Sequence, residues 1–181
     1  MGIPNVAFSH MGINTFDADR MAAFYKRLLG MVETDRGKLG EDREIIFLSR
    51  AATDHHQVVM VSGRTAEETT VGQVSFRVES LDDLRAMKAA AEADEEAGPI
   101  RQVSHGNAWS IYFPDPEGNT VEIFTDSPYY VQQPAGNRID LSQSDEELEG
   151  QIRSEFGGDP TFRPVEEWRS DFATRLEANQ A

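Results

Sequence analysis

Apolar positions along this chain change period in a fixed order, and that order repeats. Val6–Thr15 alternates in part and predicts a strand. Asp17 then offers an N-cap for a helix over Ala18–Leu29, where Met21, Phe24, Tyr25, Leu28 and Leu29 recur at steps of three and four and Gly30 supplies the stop. Three strands follow, at Met31–Asp35, Arg43–Ser49 and His56–Val61. Gln73–Val78 restarts the pattern. Ser80 caps a helix over Leu81–Glu92 with Leu81, Leu84, Met87 and Lys88 on one stripe, and strands are predicted at Ile100–Val103, Ala108–Phe113 and Asn119–Thr125. Laying HMGINTFDADRMAAFY over QVSFRVESLDDLRAMK matches strand to strand and helix to helix, and sets Gln73 on His10. Two copies of one βαβββ unit, each too small to bury its own sheet, predict an α+β fold: a curved mixed sheet around a central cavity. The repeats span about residues 5–63 and 71–126 of a domain over residues 1–126.

The character changes after Asp126. Ser127–Asp140 has no periodicity and predicts an extended run over the surface. Ser142–Phe156 reads as an acidic helix, with Ser144 and Glu147 in a capping-box pattern. Val165–Ala178 reads as a last helix. Residues 127–181 therefore predict a C-terminal helical tail that packs on the domain or on a second subunit, with a structural and not a catalytic part. Tyr129, Tyr130, Phe156, Trp168 and Phe172 need burial there.

Charge and composition narrow the classes. Of 181 residues, 27% are charged, and the formal net charge of −15 disfavours nucleic acid and anionic membranes as partners. There is no cysteine, which removes disulfides and thiolate metal sites. No apolar run reaches the ~18 residues of a spanning helix. MGIPNVAFSHM lacks a basic region followed by an apolar core, so no signal peptide and a cytoplasmic protein are expected.

Chemistry concentrates in SHGNAWSIYFPDPEGNTVEIFTD, Ser104–Asp126, two antiparallel strands around a Pro-Asp-Pro-Glu-Gly turn. Glu122 interrupts the apolar run between Val121 and Ile123. Alternation puts it with Thr120 and Phe124 on one face, on solvent or in a cavity where it needs a cation or a proton. Asp115 and Glu117 belong to the turn, and Trp109 to core or pocket wall. The four histidines are His10, His55, His56 and His105. If the first strands of the two units lie side by side, His10, Gln73 and Glu122 converge. One His, one carboxylate and a further N or O donor with open positions is the pattern of a non-haem Fe(II) or related divalent site.

The chain resembles the vicinal oxygen chelate superfamily, which includes glyoxalase I, bleomycin- and fosfomycin-resistance proteins and type I extradiol dioxygenases. SHMGINTFDADRMAAFYKRLLGM and YFPDPEGNTVEIF carry the resemblance, which covers roughly Asn5–Asp126. DHHQVVM is similar to the His-His segment of the ring-cleaving dioxygenases, as is the ten-residue step from Tyr112 to Glu122. The resemblance implies His10 and Glu122 as metal ligands, His56 as acid/base and Tyr112 as a substrate-binding, catalytic tyrosine. His105 would line the pocket mouth, and His55, turned from His56 by strand alternation, would stand behind it or in solvent. Gln73 departs from the pattern, for the dioxygenases place a second ligand histidine there. A weakened metal site, one recruiting His56 or His55, and a metal-free site all stay open. The leading expectation is an extradiol-dioxygenase-like homo-oligomer acting on an aromatic diol with O2 and a divalent metal, Fe(II) first and Mn(II), Ni(II) or Zn(II) as alternatives. A glyoxalase-like isomerase or lyase, and a metal-free small-molecule-binding protein, are the competing functions.

Overall fold

The computed structural model describes residues 7–180, with side chains to residue 178; residues 1–6, which include Val6 and the first part of the segment used for the signal-peptide reading, lie outside it. The first unit runs β1 (Met11–Thr15), α1 (Ala18–Leu29), β2 (Val32–Leu39), β3 (Arg43–Ser49), β4 (Val58–Ser62). The second runs β5 (Val74–Arg77), α2 (Leu81–Glu92), β6 (Arg101–Ser104), β7 (Ala108–Pro114), β8 (Thr120–Asp126). Strand order is β1-β4-β3-β2 in one sheet and β5-β8-β7-β6 in the other, the same topology twice. In each, the first strand pairs in parallel with the last and the remaining pairs are antiparallel.

Local chemistry sets the helices. Asp17 accepts a hydrogen bond from the Arg20 amide, and Gly30 closes α1 at φ 64°, a conformation that favours glycine. Met21, Phe24, Tyr25 and Leu29 bury one face of α1, and Leu81, Leu84 and Ala91 one face of α2, against their own sheets. Each fully buried apolar side chain stabilises the fold by roughly 1.5–3 kcal/mol.

The β1 and β5 edges are not hydrogen-bonded to each other or to any other strand on their outer sides among the described residues. The units meet through α1, where Arg20 and Arg27 pair with Asp94 and Glu96 beyond α2 and Tyr25 packs on Phe76, and through the β7–β8 turn. Asp115 is buried and accepts from the amides of Glu117 and Asn119, from Asn119 Nδ2 and from the Tyr25 hydroxyl. Glu117 accepts from the Phe16 and Asp17 amides at 2.9 and 2.8 Å, and Arg64 pairs with it at 3.4 Å. Both of those charged side chains are nearly out of solvent, at 6% and 4% exposure. The turn residues are thus a clamp from the second unit onto the start of α1.

The tail adds β9 (Tyr129–Tyr130), β10 (Asn137–Arg138), α3 (Asp145–Phe156), β11 (Arg163–Pro164) and α4 (Val165–Gln180). The run expected to be merely extended pairs as a strand, because β10 adds to the free edge of β6. The capping box of Ser144 and Glu147 is formed, and α3 buries Leu148, Ile152 and Phe156. The remaining aromatic residues satisfy one another. Tyr129 stacks on Phe162, Tyr130 on Trp168 and Trp168 on Phe172, which stays 37% exposed. No helix is long and apolar enough to cross a membrane among the described residues.

Candidate active site

Strand register on the second sheet writes out a polar row. Arg101 on β6 stands opposite Tyr112 on β7, Tyr112 opposite Glu122 on β8, and Glu122 beside Ser75 on β5. Residues in register share a face, so these four side chains meet. Val121 and Ile123 turn the other way into the core. Glu122 is only 7% exposed, which demands partners for both its oxygens. Tyr112 donates its hydroxyl hydrogen to Oε1, while Ser75 and Gln73 donate to Oε2 at 2.6 and 2.9 Å. The amide oxygen of Gln73 is in no hydrogen bond among the described residues. Arg101 lays its guanidinium 4.6 Å over the Tyr112 ring.

His105 completes the chain of contacts. Its Nε2 lies 2.7 Å from the Tyr112 hydroxyl, and its Nδ1 donates at 2.7 Å to the Ala135 carbonyl, in the tail. Burial, with the Glu122 hydrogen bond and charge behind it, pushes the Tyr112 phenol up to about 12. A raised acid keeps its proton longer in the folded protein, so stability falls as pH rises through the interval between the ordinary value of about 10 and 12. An ultraviolet titration should therefore show a tyrosinate forming late, near pH 12, ahead of Tyr25, which burial and the Asp115 carboxylate push higher still. Tyr112→Phe should remove that late component; its survival would assign it to another tyrosine.

The first sheet carries a separate group. His10 is exposed, lies 3.2 Å from Ser9 Oγ and packs its ring edge-on against His56, with centroids 4.2 Å apart. His55 and His56 face one another through their Nδ1 atoms at 2.9 Å, with Phe47 beside both rings. That corrects the expectation of His55 turned from His56: β4 begins only at Val58, so strand alternation does not govern the pair. Loss of hydration, then the neighbouring His10 and His55, holds the His56 imidazole below its usual range.

Gln73, Tyr112, His105 and Glu122 are thus brought together, and so are His10, His55 and His56. No hydrogen bond or ion pair joins the two groups among the described residues, and no cluster of three or more His, Asp or Glu side chains there is arranged to hold a metal ion. The expected convergence of His10 on Glu122 does not follow from hydrogen-bonded first strands, because β1 and β5 do not pair. A cleft of about 1010 Å³ lies between them, lined by Met11, Val58, Gln73, Phe76, Met87 and Ile123. Ser75 lines it as well, so it borders the polar row through Gln73 and Ser75, while Glu122 itself is not among its lining residues. Sequence reasoning passed over Ser75 and Arg101. Ser75 was open to discovery, being two residues from Gln73 on the same strand face. The Ala135 carbonyl has no side-chain signal at all.

A family model described as the Glyoxalase/Bleomycin resistance protein/Dioxygenase superfamily matches residues 7–123. Among solved structures, a glyoxylase/bleomycin resistance protein/dioxygenase domain from Frankia sp. EAN1pec aligns with a TM-score of 0.55 at 20% identity, covering 68% of this chain and 100% of that one. The fosfomycin resistance protein FosX of Listeria monocytogenes, complexed with Mn(II) and sulfate, aligns at 0.55 and 17%, covering 68% and 95%. A lactoylglutathione lyase from Agrobacterium tumefaciens aligns at 0.52 and 20%, covering 68% and 96%. A search of curated proteins finds no match.

Proposed function

Because this chain belongs to the glyoxalase/bleomycin resistance protein/dioxygenase superfamily, we propose that it is a divalent-metal enzyme of the extradiol dioxygenase type, acting on a catechol-like diol at the polar row of the second sheet. The observation that carries the reading is the buried Glu122 carboxylate, with Tyr112 bonded to it and the uncommitted Gln73 amide oxygen just before the adjoining strand β5. Two oxygen donors and an imidazole suit a divalent ion. Within one chain no hydrogen bond joins the His10 imidazole to Gln73 or Glu122 among the described residues, and a second copy is the source of that imidazole in this reading. The free edges of β1 and β5 are surfaces that strand pairing would cover. His10 from one copy beside Gln73 and Glu122 of another would complete the set, and His56 would travel with it, since the two rings are in contact.

A metal held there would supply Lewis-acid polarisation of the substrate oxygens and, as Fe(II), a place for O2. The chain supplies the rest. Tyr112, kept protonated, offers its hydroxyl to a substrate oxygen in exchange for its bond to Glu122. His56, held below the usual imidazole range and so neutral at physiological pH, is suited to accept a hydroxyl proton. Arg101 and His105 hold Tyr112 from the far side.

Gln73 favours a second reading. A neutral amide donor is compatible with a glyoxalase-like isomerase or lyase, where the metal polarises oxygen without O2. Mass measurement with elemental analysis and O2 uptake on catechols separates the outcomes. A homo-oligomer carrying stoichiometric metal and consuming O2 is expected. Metal without O2 uptake would favour the isomerase reading. A monomer that takes up none of Fe(II), Mn(II), Ni(II) or Zn(II) would leave a metal-free small-molecule-binding protein.

A further inference from the structure

The tail, expected to be structural, reaches the polar row. Its segment from Val131 to Leu141 runs beside β6 as a strap, with Asn137 in register with Ser104 and Arg138 with Val103. Gln133 ties the strap to the loop before β7 by donating to the His105 carbonyl at 2.8 Å, and its own Oε1 accepts from the Ala135 amide at 3.0 Å. α3 holds it from outside: Gln151 donates to the Arg138 carbonyl at 3.2 Å and Glu155 accepts from Asn137 at 2.9 Å. The loop under the strap is shaped for this approach. Gly106 has φ 76°, and a Cβ there would stand 2.5 Å from Val131 and 3.2 Å from Phe156. These contacts leave the Ala135 carbonyl 2.7 Å from His105 Nδ1.

We propose that this strap is a positioning element of the site: the Ala135 carbonyl fixes the hydrogen of His105 on Nδ1 and aims Nε2 at the Tyr112 hydroxyl. A carbonyl only accepts, so the ring nitrogen facing it must carry the hydrogen, and a neutral imidazole has one such nitrogen. Nε2 is then an acceptor 2.7 Å from the Tyr112 hydroxyl, and it competes with Glu122 Oε1 for the single hydrogen that this hydroxyl carries. Ala135 acts through its backbone, and His105 through Tyr112. The strap lies beyond residue 123, the last that the family model matches. The device therefore belongs to this chain's own tail.

The inference rests on taking the Tyr112–Glu122 row as the functional site, but its test needs neither metal nor substrate. Long-range proton–nitrogen correlation spectra of the nitrogen-15-labelled full chain, recorded above the ordinary imidazole range of about 6.5, report which ring nitrogen bears hydrogen. His105→Gln identifies the signal by its loss. His105 is expected to show hydrogen on Nδ1. In the Gln133→Ala, Gln151→Ala double variant, one exposed and one half-buried side chain that hold the strap are gone, and the signal should move toward hydrogen on Nε2 with little change in unfolding midpoint. A bare Nδ1 in the native chain overturns the proposal, and so does an unaltered Nδ1 signature in the double variant. Failure to bind metal or consume O2 would refute the reading of the reaction and leave this result standing.

Discussion

Glu117→Ala should cost the protein about 3 kcal/mol of stability, although the residue touches no substrate. The substitution strands three groups at once. The Phe16 and Asp17 amides lose their acceptor where β1 passes into α1, and Arg64, whose side chain is 6% exposed, loses its only carboxylate partner among the described residues. Removing one member of a buried pair costs about 3–5 kcal/mol, because the remaining charge stays desolvated. The lower end applies here. Arg64 keeps the carbonyls of Ala66 and Glu67 and its place 4.6 Å over the Phe16 ring. For a chain of this size the loss corresponds to a fall of roughly 6–12 °C in unfolding temperature. Thermal and urea unfolding of Glu117→Ala beside Glu117→Gln provide the check. The glutamine variant keeps an oxygen acceptor and should recover part of the loss. A change under about 1 kcal/mol in the alanine variant would mean that the β7–β8 turn adds little to the joint between the units.

Gln73→His should strengthen metal binding and raise or create ring cleavage of simple catechols, and His56→Ala placed in that background should lower turnover about 10²–10⁴-fold with metal content unchanged. The first half follows from donor chemistry. Imidazole is the stronger ligand for first-row divalent ions, and Gln73, exposed and one residue before β5, already bonds to Glu122. The exchange also removes an amide donor from Glu122, leaving Ser75 and Tyr112 to hold the carboxylate. The second half follows from acid/base chemistry. His56 packs against His10, so whichever contact brings His10 to the metal brings His56 to the substrate. Yellow ring-cleavage product, O2 consumption and metal analysis read the two effects separately. A Gln73→His protein that binds iron tightly and stays inert with every diol tried would shift the assignment to the isomerase or binding alternatives. Equal turnover with and without His56 would remove that residue from the reaction.

Much of the architecture was legible before any coordinates. Periodicity located α1 and α2 to the residue, because a helix on a sheet exposes one face and buries the other, and the repeat of β1 through β4 in β5 through β8 was visible as the same order of periods. Asp17, Ser80 and Ser144 announced their helices through cap chemistry that acts over three residues. Glu122 was legible as a carboxylate on a fixed face of an apolar strand, on solvent or in a cavity, because alternation fixes which side a residue faces; the fold decided for burial. Such signals are local: they depend on separations of one to four residues, and the sequence by itself therefore determined the elements, their faces and the oddity of a charge within an apolar strand.

The partners of those faces were decided only by tertiary structure. Ser75 reaches Glu122 across 47 positions of chain and Ala135 reaches His105 across 30, through register and a strap edge that no short pattern encodes. Alternation misread His55 and His56 because the strand starts two residues later than the apolar run suggested. Adjacency of His10 and Gln73 was an inference from symmetry, and symmetry of the units does not by itself say which free edge meets which. Glu117 makes the same point from the turn. Its composition specifies a turn, while its burial against Arg64 and the start of α1 depends on how two units settle on each other, where desolvation makes one carboxylate worth several ordinary surface pairs.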